Sequence, residues 1–358
     1  MQLSEEPESQ IHLQETHPMY NRREFLTVLS SLTAGLLAAP GSSFGTSDAL
    51  GEILPTRRLG RTGEFVTMLG LGGAHVASVL SARDAEKAIN LAIEGGIRFF
   101  DNAASYGNGE GERRYGKYLT PKYREHVFLM TKAHLFDAQT VRKQLDTSLL
   151  NLKTDYVDLW QMHQVMDPED ADTRMAGGVL DVFLEAKASG KARHIGFSGH
   201  NMPDSHLHIL GKTDIFETCQ MPVNCADPNY GSFILNVMPK LVERDLGVIA
   251  MKTLACGGFF GGTTYFENGP KPKICPDRLP VREAIHFVWS LPVSTLVTGP
   301  NTVEQLQEKI DLARSFTQLS EESRLELIRK VADLNRNGGV EFYKSKGLST
   351  GCEWRMHP

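Results

Sequence analysis

Eight short apolar runs alternate with helix-period segments along most of this chain, and the alternation restricts the fold more than any single motif does. The runs fall at residues 66–70, 97–100, 127–131, 156–162, 194–198, 217–221, 247–252 and 295–298, with helical patterns such as 83–94 and 138–150 between them. Short runs rich in β-branched and aromatic residues read as strands buried on both faces. Such strands belong to parallel sheets, whose crossovers need helices. Strand followed by helix, repeated this way, predicts an α/β architecture, the (β/α)8 TIM barrel, rather than a sandwich or bundle. Ahead of it, Arg57-Arg58-Leu59-Gly60-Arg61-Thr62-Gly63 reads as a hairpin. The 358 residues, 41% of them hydrophobic, can bury one such core, which commonly takes about 250 residues.

Three successive runs release ionisable side chains. Asp101 and then Tyr106 follow Ile97-Arg98-Phe99-Phe100, Lys132 follows the run at 127–131, and His163 follows the run at 156–162. Residues beyond barrel strands face one mouth, so Asp101, Tyr106, Lys132 and His163 converge there. With these residues in this order the chain resembles the aldo-keto reductase family, over roughly Arg57 to Ala313. The resemblance implies hydride transfer between NAD(P)H and a carbonyl or alcohol, with Tyr106 as acid/base and the hairpin as a plug in the barrel bottom. The chemistry explains the residue types. A phenol near its ordinary pKa of about 10 gives up its proton sluggishly at neutral pH. A lysine ammonium beside it favours the phenolate. Asp101 holds Lys132 charged, and His163 orients the carbonyl oxygen.

The resemblance also implies a cofactor site. Ser198 matches the serine of a Ser-Asn turn that holds the nicotinamide carboxamide, with Gly199 in place of the asparagine. Gln220 matches the glutamine that completes that contact, and Asn224 is close by. Met251 stands where an aromatic commonly stacks on the nicotinamide. Lys252 meets a phosphate or faces solvent, and the glycines at 257–258 let backbone amides approach a pyrophosphate. The loop from Thr298 through Thr302 enters a helix whose N-terminus favours anions. Here Gly299 and Gln305 occupy the positions that grip a 2′-phosphate, Glu308 matches an adenine contact, and Lys309 replaces an asparagine. NADP(H) is the expected cofactor, with NAD(H) left open.

A net charge of −5 with interspersed signs offers no basic stripe for nucleic acid. Cys219, Cys225, Cys256, Cys275 and Cys352 show no C-x-x-C or zinc spacing and read as reduced, structural thiols. Near the N-terminus, Arg22 and Arg23 precede a short, weakly apolar stretch at 28–39 that looks like a twin-arginine export signal. That implies the twin-arginine translocation machinery as a partner and a periplasmic location, without a stable membrane span. Residues 1–50 are expected to be leader, 51–335 barrel, and 336–358 a tail over the mouth.

Three signals carry little weight. Gly70-Leu71-Gly72-Gly73-Ala74-His75 departs from the dinucleotide fingerprint, which belongs to another fold. His200, His206 and His208 lack an acidic or cysteine partner and read as a solvated helix start. Cys225 reads as a small buried thiol. Two other uses of the same barrel stay open: a nicotinamide-binding redox sensor or partner-binding subunit without turnover, and a sugar epimerase or lyase that retains its cofactor. The substrate is a small carbonyl compound or a sugar, for which Trp160, Phe259, Phe260, Tyr265 and Trp354 offer an aromatic wall.

Overall fold

The structure, a computed structural model, describes residues 47–261, 273–335 and 338–344. Arg22, Arg23, Tyr265, Cys352, Trp354 and the tail beyond Lys344 lie outside that description. Two antiparallel hairpins come first, β1 (Ser47–Asp48) with β2 (Gly51–Glu52) and β3 (Thr56–Arg58) with β4 (Phe65–Thr67). The barrel strands follow: β5 Leu69–Gly72, β6 Phe99–Asp101, β7 Phe128–Ala133, β8 Val157–Met162, β9 Ala192–Ser198, β10 Thr218–Pro222, β11 Gly247–Met251 and β12 Thr295–Thr298. They pair in chain order, all parallel, and β12 closes the ring on β5. This is the (β/α)8 barrel that the alternation predicts.

The run at 66–70 divides between two elements. Val66 pairs with Arg57 in the second hairpin, whereas the barrel strand begins at Leu69. The chain breaks step at Met68, whose amide donates to Pro55 O at 2.8 Å, while Thr67 Oγ1 donates to Leu69 O at 2.8 Å. Leu59 and Val66 from the hairpin join Phe99, Phe128, Met130, Leu159 and Ile249 in an apolar cluster separate from the larger core. Phe99 and Phe128 stack at 5.3 Å. The hairpin therefore plugs the barrel floor.

Successive strand residues point to opposite sides, so one face of each strand lines the interior. On β6 the inward positions are Phe99 and Asp101, on β7 Phe128, Met130 and Lys132, and on β8 Leu159 and Gln161, with His163 next in step. Each series climbs from an apolar floor to a polar top. Asp101 and Lys132 consequently lie within strands, not on the loops beyond them as the sequence suggests.

The alternate positions face the helices. Helix Ala138–Leu152 starts where the Asp137 carboxylate accepts from Thr140 N at 3.0 Å, and it turns Val141, Leu145, Leu149 and Leu152 inward. Burying each such leucine stabilises the fold by about 1.5–3 kcal/mol relative to exposure. Trp160 stacks on Phe183 at 4.1 Å in this outer shell. It is packing between barrel and helix, not part of an aromatic wall.

Candidate active site

The strand ends bring the four expected residues together. Lys132 Nζ donates to Asp101 Oδ1 at 2.5 Å, to Asn102 O at 2.8 Å and to Tyr106 Oη at 3.3 Å. Tyr106 comes from the turn after β6, and its ring meets the His163 ring edge-on at 5.6 Å. Ser105 Oγ lies 3.3 Å from His163 Nδ1. Beneath them, Gln220 Nε2 donates to Asp101 Oδ1 at 3.3 Å, and Asp101 and Lys132 are almost fully buried.

Burial sets the electrostatics. It raises the Asp101 carboxyl above its usual range and lowers the Lys132 ammonium below its own, and each partner's opposite charge opposes the other's shift. His163 is pushed well below the imidazole range, by burial first and the Lys132 charge second. It stands as a neutral ring at neutral pH.

A cavity opens above this group. Tyr106, Lys132, His163, Ser198, Gly199, Gln220, Met251 and Lys252 all line it. Gln220 Oε1 is buried there without a hydrogen-bond partner among the described residues, an open acceptor of the kind that an amide N–H would satisfy. Ser198 Oγ is engaged locally, donating to Met162 O and accepting from Gln164 N, both at 3.3 Å. The cofactor residues expected on the last loop sit apart, at the end of β12. Thr302 Oγ1 accepts from Gln305 N at 3.3 Å and caps helix Val303–Arg314, Gln305 Oε1 accepts from Asn301 N at 2.9 Å, and Glu308 pairs with Lys309 at 2.9 Å.

The model of the Aldo/keto reductase family matches residues 68–332. The chain belongs to the aldo/keto reductase family. It is therefore an NAD(P)H-dependent oxidoreductase. L-galactose dehydrogenase of Arabidopsis thaliana is 30% identical over 284 residues, which cover 71% of this chain and 86% of the relative. A 6-dehydroglucose reductase of Novosphingobium aromaticivorans is 34% identical over 175 residues, covering 44% and 56%. Among solved structures, an aldo-keto reductase from Bacillus halodurans in its holo form superposes with a TM-score of 0.66 at 21% identity, covering 78% of this chain and 96% of its own. A Bombyx mori aldo-keto reductase in complex with NADP does so with a TM-score of 0.62 at 19% identity, covering 86% and 98%.

Two departures from the family pattern have a steric cause. A Cβ at Gly199 would lie 2.5 Å from Val165 O and 2.7 Å from His206 Cε1, so an asparagine does not fit there. A Cβ at Gly299 would lie 2.4 Å from His75 Cδ2, so the His75 ring takes the space of a longer side chain. Among the three clustered histidines, His200 lines the cavity, His206 is buried against Phe197 and Phe233, and His208 pairs with Asp172 at 2.8 Å. The first two correct the reading of a solvated helix start. Cys225 is fully buried, and burial raises its thiol pKa.

Several roles leave no mark in the sequence. Gln164, in a left-handed conformation with φ 57°, and His200, one of the three clustered histidines, complete the cavity wall. Segment 338–344 folds back against the loop after β10. Lys344 is buried between Asp227 Oδ1 at 2.6 Å and Glu341 Oε2 at 2.7 Å, and Tyr343 Oη donates to Glu341 Oε1 at 2.6 Å. Asn224 Nδ2 donates to Glu341 Oε1 at 2.8 Å and to Lys252 O at 3.3 Å, tying this network to the cavity rim.

Proposed function

We propose that this enzyme uses NADP(H) to reduce small polyhydroxylated carbonyl compounds, sugars among them, with Asp101, Tyr106, Lys132 and His163 as its catalytic group. The observation that carries the reading is Lys132 Nζ held between Asp101 and the Tyr106 hydroxyl at the floor of a cavity. When bound, the dinucleotide supplies the hydride. Tyr106 gives its proton to the developing alkoxide, and the ammonium 3.3 Å away stabilises the phenolate left behind. Asp101 keeps that ammonium charged in a dry setting. With Ser105 Oγ, 3.3 Å away, as the donor to His163 Nδ1, the ring proton would sit on Nε2, the tautomer that donates to a carbonyl oxygen.

For the nicotinamide end, the open acceptor on Gln220 fits a carboxamide N–H, Met251 flanks the same space, and Lys252 carries a positive charge to meet the pyrophosphate. Gly299, Thr302, Gln305 and Glu308 would receive the adenosine end, at the positive end of helix Val303–Arg314. The NADP of the Bombyx mori relative supports that cofactor. The sugar reading rests on the names of the Arabidopsis and Novosphingobium relatives and on the polar wall of Gln164 and His200. A panel of aldoses and simple aldehydes with NADPH tests it. Turnover confined to apolar aldehydes would remove the sugar class.

We further propose export to the periplasm through the twin-arginine machinery, on the strength of Arg22 and Arg23 ahead of a short apolar stretch. No helix of the described residues is long and apolar enough to cross a membrane. Cell fractionation of the wild type and an Arg22→Lys, Arg23→Lys variant tests this. A variant exported as well as the wild type would refute it.

A further inference from the structure

Lys252 follows β11 in a left-handed conformation, φ 54°, and lines the cavity. That ammonium lies 4.9 Å from the centre of the Tyr343 ring and 3.5 Å from Cys256 Sγ. Tyr343 belongs to segment 338–344, far along the chain from β11, yet its side chain is almost fully buried. Its hydroxyl is fixed by Glu341 at 2.6 Å and Asn224 at 3.2 Å. Asn224 Nδ2 also donates to the Lys252 carbonyl oxygen, so one network grips the backbone of Lys252 and underlies its ammonium. Glu341, which holds the ring hydroxyl, also pairs with Lys344 at 2.7 Å, and Lys344 pairs with Asp227 at 2.6 Å, so the ring is anchored to the loop after β10.

We propose that Tyr343 is a positioning residue for the dinucleotide: its ring fixes the Lys252 ammonium at the cavity wall, ready for the pyrophosphate. The proposal rests on the reading of Lys252 as a cofactor contact. An unrestrained lysine spreads its charge over many rotamers and loses them on binding. A lysine already laid on a buried aromatic face loses fewer, so the ring contributes to affinity without touching the ligand. Tyr343 also meets the His200 ring edge-on at 6.1 Å, which places two cavity residues against one support.

The test titrates NADP+ into the full-length protein at low and high salt, for the wild type, Lys252→Met, Tyr343→Leu, Tyr343→Phe and the Lys252→Met/Tyr343→Leu double variant. Lys252→Met is expected to raise Kd about tenfold or more and to flatten its salt dependence. Tyr343→Leu is expected to raise Kd about three- to tenfold with the same flattening, and Tyr343→Phe, which keeps the ring, to rescue both. In the double variant the Leu substitution should add less than about twofold, since it acts through a side chain already gone. Additive effects, or Tyr343→Leu with wild-type Kd and salt dependence beside a weakened Lys252→Met, would overturn the positioning role. An unaffected Lys252→Met would instead overturn the cofactor reading of Lys252. Should Tyr343→Leu not fold, the Lys252 ε-methylene proton signals of the wild type decide the matter: ring-current shifts support the stack, and unshifted signals overturn it.

Discussion

Lys132 donates to Asp101 at 2.5 Å inside the barrel, one layer above the apolar floor. A charged pair sunk between strands cannot drift as a loop pair does. That rigidity aims the third lysine hydrogen bond at Tyr106, 3.3 Å away. The proposed acid is therefore set by two neighbours that belong to the sheet.

Tyr106→Phe is expected to cut kcat by about 10²–10⁴ while leaving NADP+ affinity near the wild-type value, because the hydroxyl moves a proton and the dinucleotide does not depend on it. Steady-state rates with a binding titration check this. A Phe variant with a near-normal rate would remove Tyr106 as the acid.

Lys132→Met strands the buried Asp101 carboxylate and is expected to cost about 3–5 kcal/mol of stability as well as activity. Adding Asp101→Asn should recover much of the stability and none of the rate. Urea unfolding of both variants separates the two roles. A double variant as unstable as Lys132→Met would show that the stranded charge is not the cause.

The resemblance to the family puts Gln305 where an arginine would grip a 2′-phosphate, and its side-chain oxygen accepts from Asn301 N at 2.9 Å. Discrimination between NADPH and NADH is accordingly expected to be weak. Gln305→Arg should raise the NADPH:NADH ratio of kcat/KM by about tenfold or more, the worth of a charge-assisted contact. A wild type that already prefers NADPH by several thousandfold would place phosphate recognition elsewhere.

Acid should weaken the fold early. His75 is lowered to about 4 and His206 to about 3, mainly by burial, and His163 lies well below its usual range for the same reason. Each is neutral when folded and protonated when unfolded below about pH 6.5. Their stabilisation is complete above that value and lost as the pH falls toward the folded pKa. The slope is about 1.4 kcal/mol per pH unit for each histidine. Between pH 6 and 5, His206→Gln should show a shallower fall in urea stability than the wild type by one such step. Parallel slopes would contradict the assignment.

The barrel and its four central residues were legible because one pattern carries both. The inward series Phe128, Met130, Lys132 shows in the sequence as an apolar run ending in a charge. Other features leave no such mark. Val66 and Leu69 are equally apolar, so nothing in the run at 66–70 betrays the break at Met68. Asp227 and Lys344 are 117 residues apart, and each alone reads as a solvated charge until folding removes both from water. Gln164 looks like an ordinary polar loop residue, and its left-handed backbone, φ 57°, where it lines the cavity leaves no mark in the sequence.

The floor built from Leu59, Val66 and their partners makes the barrel a blind tube. Among the described residues the floor is filled by apolar side chains, and the cavity that Tyr106 and Lys132 line is their path to solvent. With Tyr106 as the acid, the proton spent on one product returns through the same space that admits the ligands.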